Sequence, residues 1–594
     1  MRIVRTEVAM MSNVLMHPGI FMILCGLIAV FVPKVVRQAM QIICPIVAFA
    51  FAWIMPLGTD GVLHLFGYDF HYMFLSQKNI MFLMIFTLVA VFAGFYSSYA
   101  GDKLGAFASM GYAGGAAGVV LAGDWFSLIF FWEFMAITST LLIWGSHTKR
   151  ATAAGFRYLL VHMLGGNMLL FGIVIKVTQG SLMISNLTDG PHDLAFWLIF
   201  LGMAVNAAIV PLHAWAPDAY PESTLGGGAY VSGFTTKLAV LCICCVFAGW
   251  QPLIILGLIM IFYGACLAII ENDMRRLLSY HIISQLGFMI ADIGIGTEFA
   301  QDAAYALAFG NVLYKSLLFM CAGAIIYATG IRKINKLGRL AKKMPLTCIV
   351  FFVAAFSITG VPGFAGFTCK SLSMACAEEA GLEWVATLMM LGSIGTALSI
   401  PIKMGYFIFF GEERNIEVKP YPVVMKIGMV LGAIACVLAG VLPGRVYDLL
   451  PFATDYTPYT ISHVLEYAQL LPAAFLAFLM YLPNMEPHTA LTIDLDWFYR
   501  KPFAICYAAL SKALFAFQNF CGGIGRKIYH FLQVTTNDPY AFLHMSPKNE
   551  LSDERQEHMR YKEDAYRSRI GDGMIWVMGS VIVIAVYLVV VMRR

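Results

Sequence analysis

Runs of about 20 predominantly apolar residues are long enough to cross a bilayer as a helix, and they recur along most of this 594-residue chain. Read by hydropathy, they fall at 19–33, 39–57, 80–100, 104–121, 125–144, 156–177, 194–210, 229–249, 252–270, 277–296, 303–328, 346–361, 384–410, 422–442 and 466–482. A last run follows at 574–592, after a long polar stretch. Lipid offers the backbone no hydrogen bonds, so only helices or closed barrels span it, and barrel strands would alternate in polarity. These runs do not alternate. The fold class is therefore an all-α polytopic membrane protein. Its charged residues make up 12% of the chain, where soluble domains carry about 25%.

Several functions drop out at this level. A formal net charge of +4 gives no reason to expect nucleic acid. The first apolar run, Phe21 to Val32, has no small-residue cleavage site after it and reads as a retained span. Thirteen cysteines include no CxxC pair. The CICC at Cys242–Cys245 lies inside an apolar run and reads as packing, so no metal site is expected. No glycine-rich phosphate loop stands between a strand and a helix, which leaves ATP-driven transport without support. No cofactor is expected.

Two spans read as broken. STLGGGAYVSGFTTKLAVL places Gly226, Gly227, Gly228 and Gly233 before Lys237, and GTALSIPIKMGYFIFF places Pro401 two residues before Lys403. Proline in a helix removes one hydrogen bond, and irregular backbone at membrane depth is tolerated where it is buried in protein or lines a wet cavity. Breaks at matching places in two halves point to an ion or substrate path. We therefore expect two inverted five-helix repeats, 104–276 and 277–445, between N-terminal helices at 1–103 and a C-terminal region at 446–594. In that last region KPFAICYAALSKALFAFQNFCGGIGRKIYHFL is amphipathic enough to lie on a membrane surface or a neighbour. The charged SPKNELSDERQEHMRYKEDAYRSRI then leads to the terminal anchor. The basic loop Arg332–Lys343 and the ENDMRR loop should share a face, with Ser146–Arg157 on the opposite one; the orientation stays open.

Four ionisable residues sit inside spans: Glu133, Lys237, Lys315 and Lys403. A charge at the centre of a membrane helix costs about 2.5–3.5 kcal/mol on insertion scales and is usually functional or paired. No residue within a turn of Glu133 neutralises it; Lys237 is the candidate partner. A carboxylate's proton affinity follows such a contact. An acid and lysines in series thus make a chain of sites whose protonation depends on the neighbour's charge. One bland alternative is that the lysines only staple helices together. Asn311 lies one turn before Lys315, and Thr396, Ser399 and Lys403 form one polar stripe. In VPLHAWAPDAYPES the three prolines force a structured re-entry, where Asp218 and Glu222 either cap the next helix or stand at the mouth of a proton path. His162 and His281 are possible relays, since neutral imidazole both donates and accepts.

The segments FFWEFMAIT, HAWAPDAYPES…FTTKLAVL, FYGACLAIIENDMRRLLSYHIISQLGF and NVLYKSLLFMCAGAII resemble, in order over about 80–445, the antiporter-like membrane subunit family. It includes the D subunit of Mrp-type multisubunit cation/proton antiporters, the proton-pumping subunits of respiratory complex I, and membrane hydrogenase subunits. The resemblance implies about fourteen core helices with two discontinuous ones. It matches Glu133 to the family's glutamate on the fifth core helix and Lys237 to its lysine on the broken seventh. Lys315 matches the lysine of a KALLF-like motif, here KSLLF, and Lys403 the terminal ionisable residue of the broken twelfth helix. Leu307 and Asn311 stand where members often have histidines, the span 252–270 leaves Tyr263 to bridge the halves, and Gly166 stands where one complex I type has an aspartate. The implied role is a proton-translocating subunit of a Na⁺ or K⁺/H⁺ antiporter in a bacterial inner membrane. It would be a secondary transporter, with other membrane subunits, H⁺, the cation and lipid as partners. The rivals are a proton-pumping arm of a complex I-like dehydrogenase or hydrogenase, the membrane subunit of an inorganic-carbon uptake complex, and a scaffold whose charges only pair.

Overall fold

The computed structural model describes residues 16–480, apart from 66, 181, 453 and scattered positions between 466 and 478, together with residues 494–537. Among these, twelve helices are long and apolar enough to cross a membrane. The expected span 466–482 falls largely outside the described residues; the charged segment from Ser546 and the anchor at 574–592 fall wholly outside.

The chain divides into two units at Asp494/Leu495. The first opens with α1 (Pro18–Phe31) and α2 (Lys34–Ile54), followed by a two-stranded antiparallel hairpin, β1 (Asp60–Leu65) and β2 (Tyr68–Phe74), that hydropathy leaves as a gap. Next come α3 (Gln77–Ser97), α4 (Lys103–Leu121), α5 (Trp125–Trp144) and the long α6 (Lys149–Thr178). The half-length α7 (Leu194–Asn206) leads to a short turn of helix, α8 (Trp215–Ala219), then α9 (Gly227–Gly233) and α10 (Thr235–Phe247). Four further helices run in series: α11 (Pro252–Ile270), α12 (Met274–Ile295), α13 (Glu298–Thr329) and α14 (Pro345–Thr359). The unit continues through α15 (Ala365–Glu379), α16 (Glu383–Ala397), a π-helical stretch Leu398–Phe410, α17 (Val423–Val441) and α18 (Pro443–Tyr447). The second unit holds α19 (Asp496–Asn537), one helix of 42 residues, about 63 Å long at 1.5 Å per residue.

Loops start these helices with acids and hydroxyls that accept from first-turn amides: Asp102, Asp124, Thr148, Asp193, Asp273 and Thr297. Between α11 and α12 the contact is a seam of small residues. A Cβ on Gly257 would strike the backbone of Gly287 and Ala291, and one on Gly264 the backbone of Tyr280 and Ser284. Without a hydrophobic drive between helices in lipid, such close approach supplies the packing energy. The bundle is polar at its centre and apolar outside. Lys237, Lys315, Asp292 and His281 are fully buried, whereas Phe31, Val35, Phe130 and Phe171 lie on the surface.

Two expectations are corrected. Pro401 does not break its helix: the backbone continues from α16 into the π-helical stretch, whose wider winding takes in a residue with no N–H to give. The second break lies earlier, where Gly360 and Gly363 at positive φ separate α14 from α15. Nor is Ser146–Arg157 on the face opposite the ENDMRR loop. Arg157 binds Asp218, while Arg332 binds both Glu222 and Asp273. An even number of crossings separates these loops, so the basic segments share one face.

Candidate functional site

In the first half, Glu133 on α5 is half-buried, beside the exposed Phe130 and Ile137 on its own helix. Its Oε1 lies against Gly166 of α6, and its Oε2 has no hydrogen-bond partner. The expected contact with Lys237 is not made. Lys237, three residues past the α9/α10 break at Phe234, sends its Nζ to the carbonyl of Ser232 at 2.7 Å. The break leaves a last-turn carbonyl without its usual amide, and the ammonium takes it. A cavity of about 10 Å³ is lined by Trp132, next to Glu133 in the chain, by Leu238, next to Lys237, and by Tyr158, His162, Asn206 and Thr235. His162 packs at a tilt against Tyr158 and edge-on to Trp215, and its Nε2, like Asn206 Oδ1, has no hydrogen-bond partner among the described residues. Neither Asp218 nor Glu222 caps a helix. Each is held by an arginine, and Thr224 Oγ1 accepts from Gly227 N instead.

The second half is a ladder along α12. Lys315 on α13 donates to Leu278 O at 3.3 Å. One turn along, His281 Nε2 meets Ser399 Oγ at 2.6 Å. Next, Gln285 Nε2 donates to Thr396 Oγ1, and Gln285 Oε1 accepts from Tyr314 OH, which Asn311 also meets. The expected polar stripe Thr396–Ser399 therefore faces α12. Lys403 on the same stripe leaves the centre: its Nζ donates to the carbonyls of Ile269 and Glu271, capping the C-terminus of α11. Among the described residues none of Glu133, Lys237, Lys315 and Lys403 forms an ion pair. Lys315 lies within electrostatic reach of Lys237 and of Lys370, and His281 within reach of Lys315, Lys370 and Lys403.

Sequence reasoning missed Lys370. It is fully buried on α15, beyond the second break, with Nζ 3.3 Å from Ser393 Oγ and 5.4 Å from the centre of the Phe288 ring. Lys370 stands to the second break much as Lys237 stands to the first. Its segment, AGFTCKSLSM, is too short and too polar to register as a span. The glycine–proline cluster before it, with a lysine soon after, repeats the signal that flagged Lys237. Asp494 was missed as well. Its carboxylate accepts from His213 Nε2 at 3.1 Å, Tyr263 OH at 2.5 Å and Tyr280 OH at 2.8 Å, joining the re-entrant segment, α11 and α12. Through this acid Tyr263 meets the re-entrant segment and α12. Burial pushes the Asp494 carboxyl up, but the bonds from His213, Tyr263 and Tyr280 outweigh it and hold it at about 2.

A protein-family pattern described as NADH:quinone oxidoreductase/Mrp antiporter, transmembrane, matches residues 122–399, which hold Glu133, Lys237, Lys315 and Lys370. Over that stretch, just under half of the chain, the sequence is similar to the antiporter-like family of membrane subunits. It is 30% identical over 322 residues to the D subunit of the Na⁺/H⁺ antiporter of Alkalihalophilus pseudofirmus, covering 51% of this chain and 65% of that one. The chain thus spans just under two thirds of that relative's length. Among solved structures, a chain of the Mrp complex from Dietzia sp. DQ12-45-1b matches with a TM-score of 0.66 at 21% identity, over 79% of this chain and 99% of that one. A chain of the membrane-bound sulfane sulfur reductase, an archaeal respiratory membrane complex, matches with a TM-score of 0.67 at 24% identity, over 93% and 99%. At these identities the likeness is one of fold.

Proposed function

We propose that this antiporter-like subunit carries protons across the membrane as part of a multisubunit Na⁺ or K⁺/H⁺ antiporter. The observation that carries the reading is the series Glu133, Lys237, Lys315 and Lys370: ionisable side chains in the interior of an apolar bundle, none ion-paired to another. Protonating one lysine disfavours protonation of the next. Coulomb coupling links Lys237, Lys315 and Lys370 in that line. The residues proposed for the path are Glu133, Lys237, Lys315 and Lys370, with His162, Asn311 and His281 as relay groups; Asp218 and Tyr263 serve at its edges. Lys403, capping the end of α11, stands outside it.

Basic residues crowd the loops at 146–157, 271–276 and 332–343, so the positive-inside rule places that face in the cytoplasm. A bacterial inner membrane is the proposed setting. Glu133 bordering exposed Phe130 and Ile137 supports a neighbouring membrane subunit over that rim, because a carboxylate left to lipid is costly. Exposed Phe503, Ile505, Phe515 and Phe517 on α19 give a second apolar surface for lipid or a partner.

The second reading is a proton-pumping arm of a redox-driven complex. It is favoured by length, since the sulfane sulfur reductase chain matches 93% of this one against 79% for the Mrp chain. Proteoliposomes carrying the purified complex and a pH-sensitive dye separate the two. Proton flux that follows added Na⁺ or K⁺, and is lost in Glu133→Gln, supports the antiporter. Flux that requires an electron donor and ignores both cations replaces it with the redox arm.

A further inference from the structure

Asp292 brings to α12 a charge that the scheme above leaves idle. It is a fully buried carboxylate with no ion pair among the described residues. Both its oxygens accept from Ser373 Oγ at 2.8 Å, and Cys376 Sγ lies at 3.7 Å from Oδ1. Helical spacing ties it to the lysine ladder. On α12, Asp292 is one turn from Phe288, whose ring faces the Lys370 ammonium; on α15, Ser373 is one turn from Lys370 itself. On α16, Met389 touches Ser373 and Ser393, one turn along, touches Lys370. Three helices thus step together from the level of Asp292 to the level of Lys370, then to Gln285–Thr396 and His281–Ser399.

In the other direction Asp292 is one turn from the end of α12 at Gly296. That end of the bundle carries exposed Glu298, Glu378, Glu379 and Glu383 around the termini of α12, α13, α15 and α16. It is the face opposite the basic loops, and its carboxylates raise the local concentration of cations, protons included. Asp292 has Ser373 and Cys376 of α15 against it and Cys244 of α10 within electrostatic reach; Glu379 lies near Cys376, Met389 of α16 touches Ser373, and Lys370 lies one turn further along α15. Toward α11, α12 packs through Gly287, Ala291 and Gly294 against Gly257, Ile254 and Leu253. Asp302 on α13 is engaged by Phe452 N and by Thr454 N and Oγ1.

We propose that Asp292, positioned by Ser373, is the carboxyl through which the second half exchanges protons between Lys370 and the acidic face of the bundle. The proposal rests on the proton-carrying reading above. In the step, the Lys370 ammonium gives up its proton to the Asp292 carboxylate across the level of Ser373. The carboxyl releases it toward the acidic face, so no redox partner is needed.

Two measurements on the intact complex test it. In proteoliposomes, Asp292→Asn is expected to lower proton flux about tenfold or more, the loss of one acid–base group. Asp292→Glu should keep most of it, and Ser373→Ala should fall between. Independently, the unaltered complex is treated with dicyclohexylcarbodiimide, which attacks protonated carboxyls in apolar sites, and Asp292 is read by peptide mass. Adduct formation there should fall as the pH is raised. Flux unchanged in assembled Asp292→Asn overturns the proposal, and so does an Asp292 that never reacts or reacts equally at every pH. If the unaltered complex moves no protons with either cations or electron donors, the functional reading fails instead. The labelling then still decides whether Asp292 takes up a proton.

Discussion

The Glu133 carboxylate rests on the bare Cα of Gly166, where any side chain on α6 would overlap its Oε1. The glycine that marks a departure from one complex I type is thus the floor of the acid's site. Gly166→Ala should cost little stability, within about 1 kcal/mol, because the group displaced is the far end of a flexible side chain. Proton flux should nonetheless fall, since the carboxylate must leave its place beside α6. A melting curve beside a liposome flux assay checks both halves of this, and equal flux in Gly166→Ala would contradict it.

Lys237 donates to the Ser232 carbonyl at the α9/α10 break. Lys237→Met removes the donor and leaves a buried carbonyl unsatisfied, at a cost of about 1–3 kcal/mol. The variant should melt earlier and carry no protons. Lys237→Arg, which keeps a donor that holds its proton, should recover stability without flux. Recovery of both in the arginine variant would show that this lysine does not titrate during transport.

Lys403 and Lys370 should separate by readout. Lys403 caps the Ile269 and Glu271 carbonyls, so Lys403→Ala is expected to lower stability by about 1.5–3 kcal/mol, the range for hydrogen bonds from a charged donor. Lys370→Gln should abolish flux at smaller cost, having one hydroxyl partner to lose. The reverse ranking, with flux sensitive to Lys403 alone, would return the path to the π-helical stretch.

Asp494 sets an acid limit. Its carboxyl is held at about 2 by His213, Tyr263 and Tyr280, below its value near 3.9 in an unfolded chain. A depressed carboxyl stabilises the fold above the unfolded value, and that contribution is lost as pH falls through about 4 toward 2. At pH 7, Asp494→Asn should therefore be less stable by about 2.5 kcal/mol. The gap between variant and parent should close as the pH is lowered below about 4. A gap constant down to pH 3 would mean that the bonds, not the charge, do the holding.

How far the sequence reached can be judged residue by residue. Glu133, Lys237 and Lys315 were visible because a charge in an apolar run stands out against a bilayer that cannot solvate it. Asp292 in GFMIADIGIG carries the same signal, yet it sits a turn from its helix end, where a search for central charges passes over it. Lys370 was hidden because α15 is short and polar, buried by neighbouring helices rather than by lipid, and hydropathy measures only the latter. Pro401 misled because a proline's lost hydrogen bond can be absorbed by wider winding as well as by a break.

The sequence by itself determined the membrane-crossing helical class, the position of the first break and the resemblance to a family. Each follows from local chemistry: span length against bilayer thickness, glycines against helix continuity, and ordered motifs. Tertiary structure decided the partners. Helix rotation sends Lys237 to Ser232 rather than Glu133, sets Lys370 over Phe288, brings Ser373 to Asp292, and returns Asp494 to His213 from 281 positions away. Which faces meet depends on packing among all the helices at once, and no window along the chain contains that information.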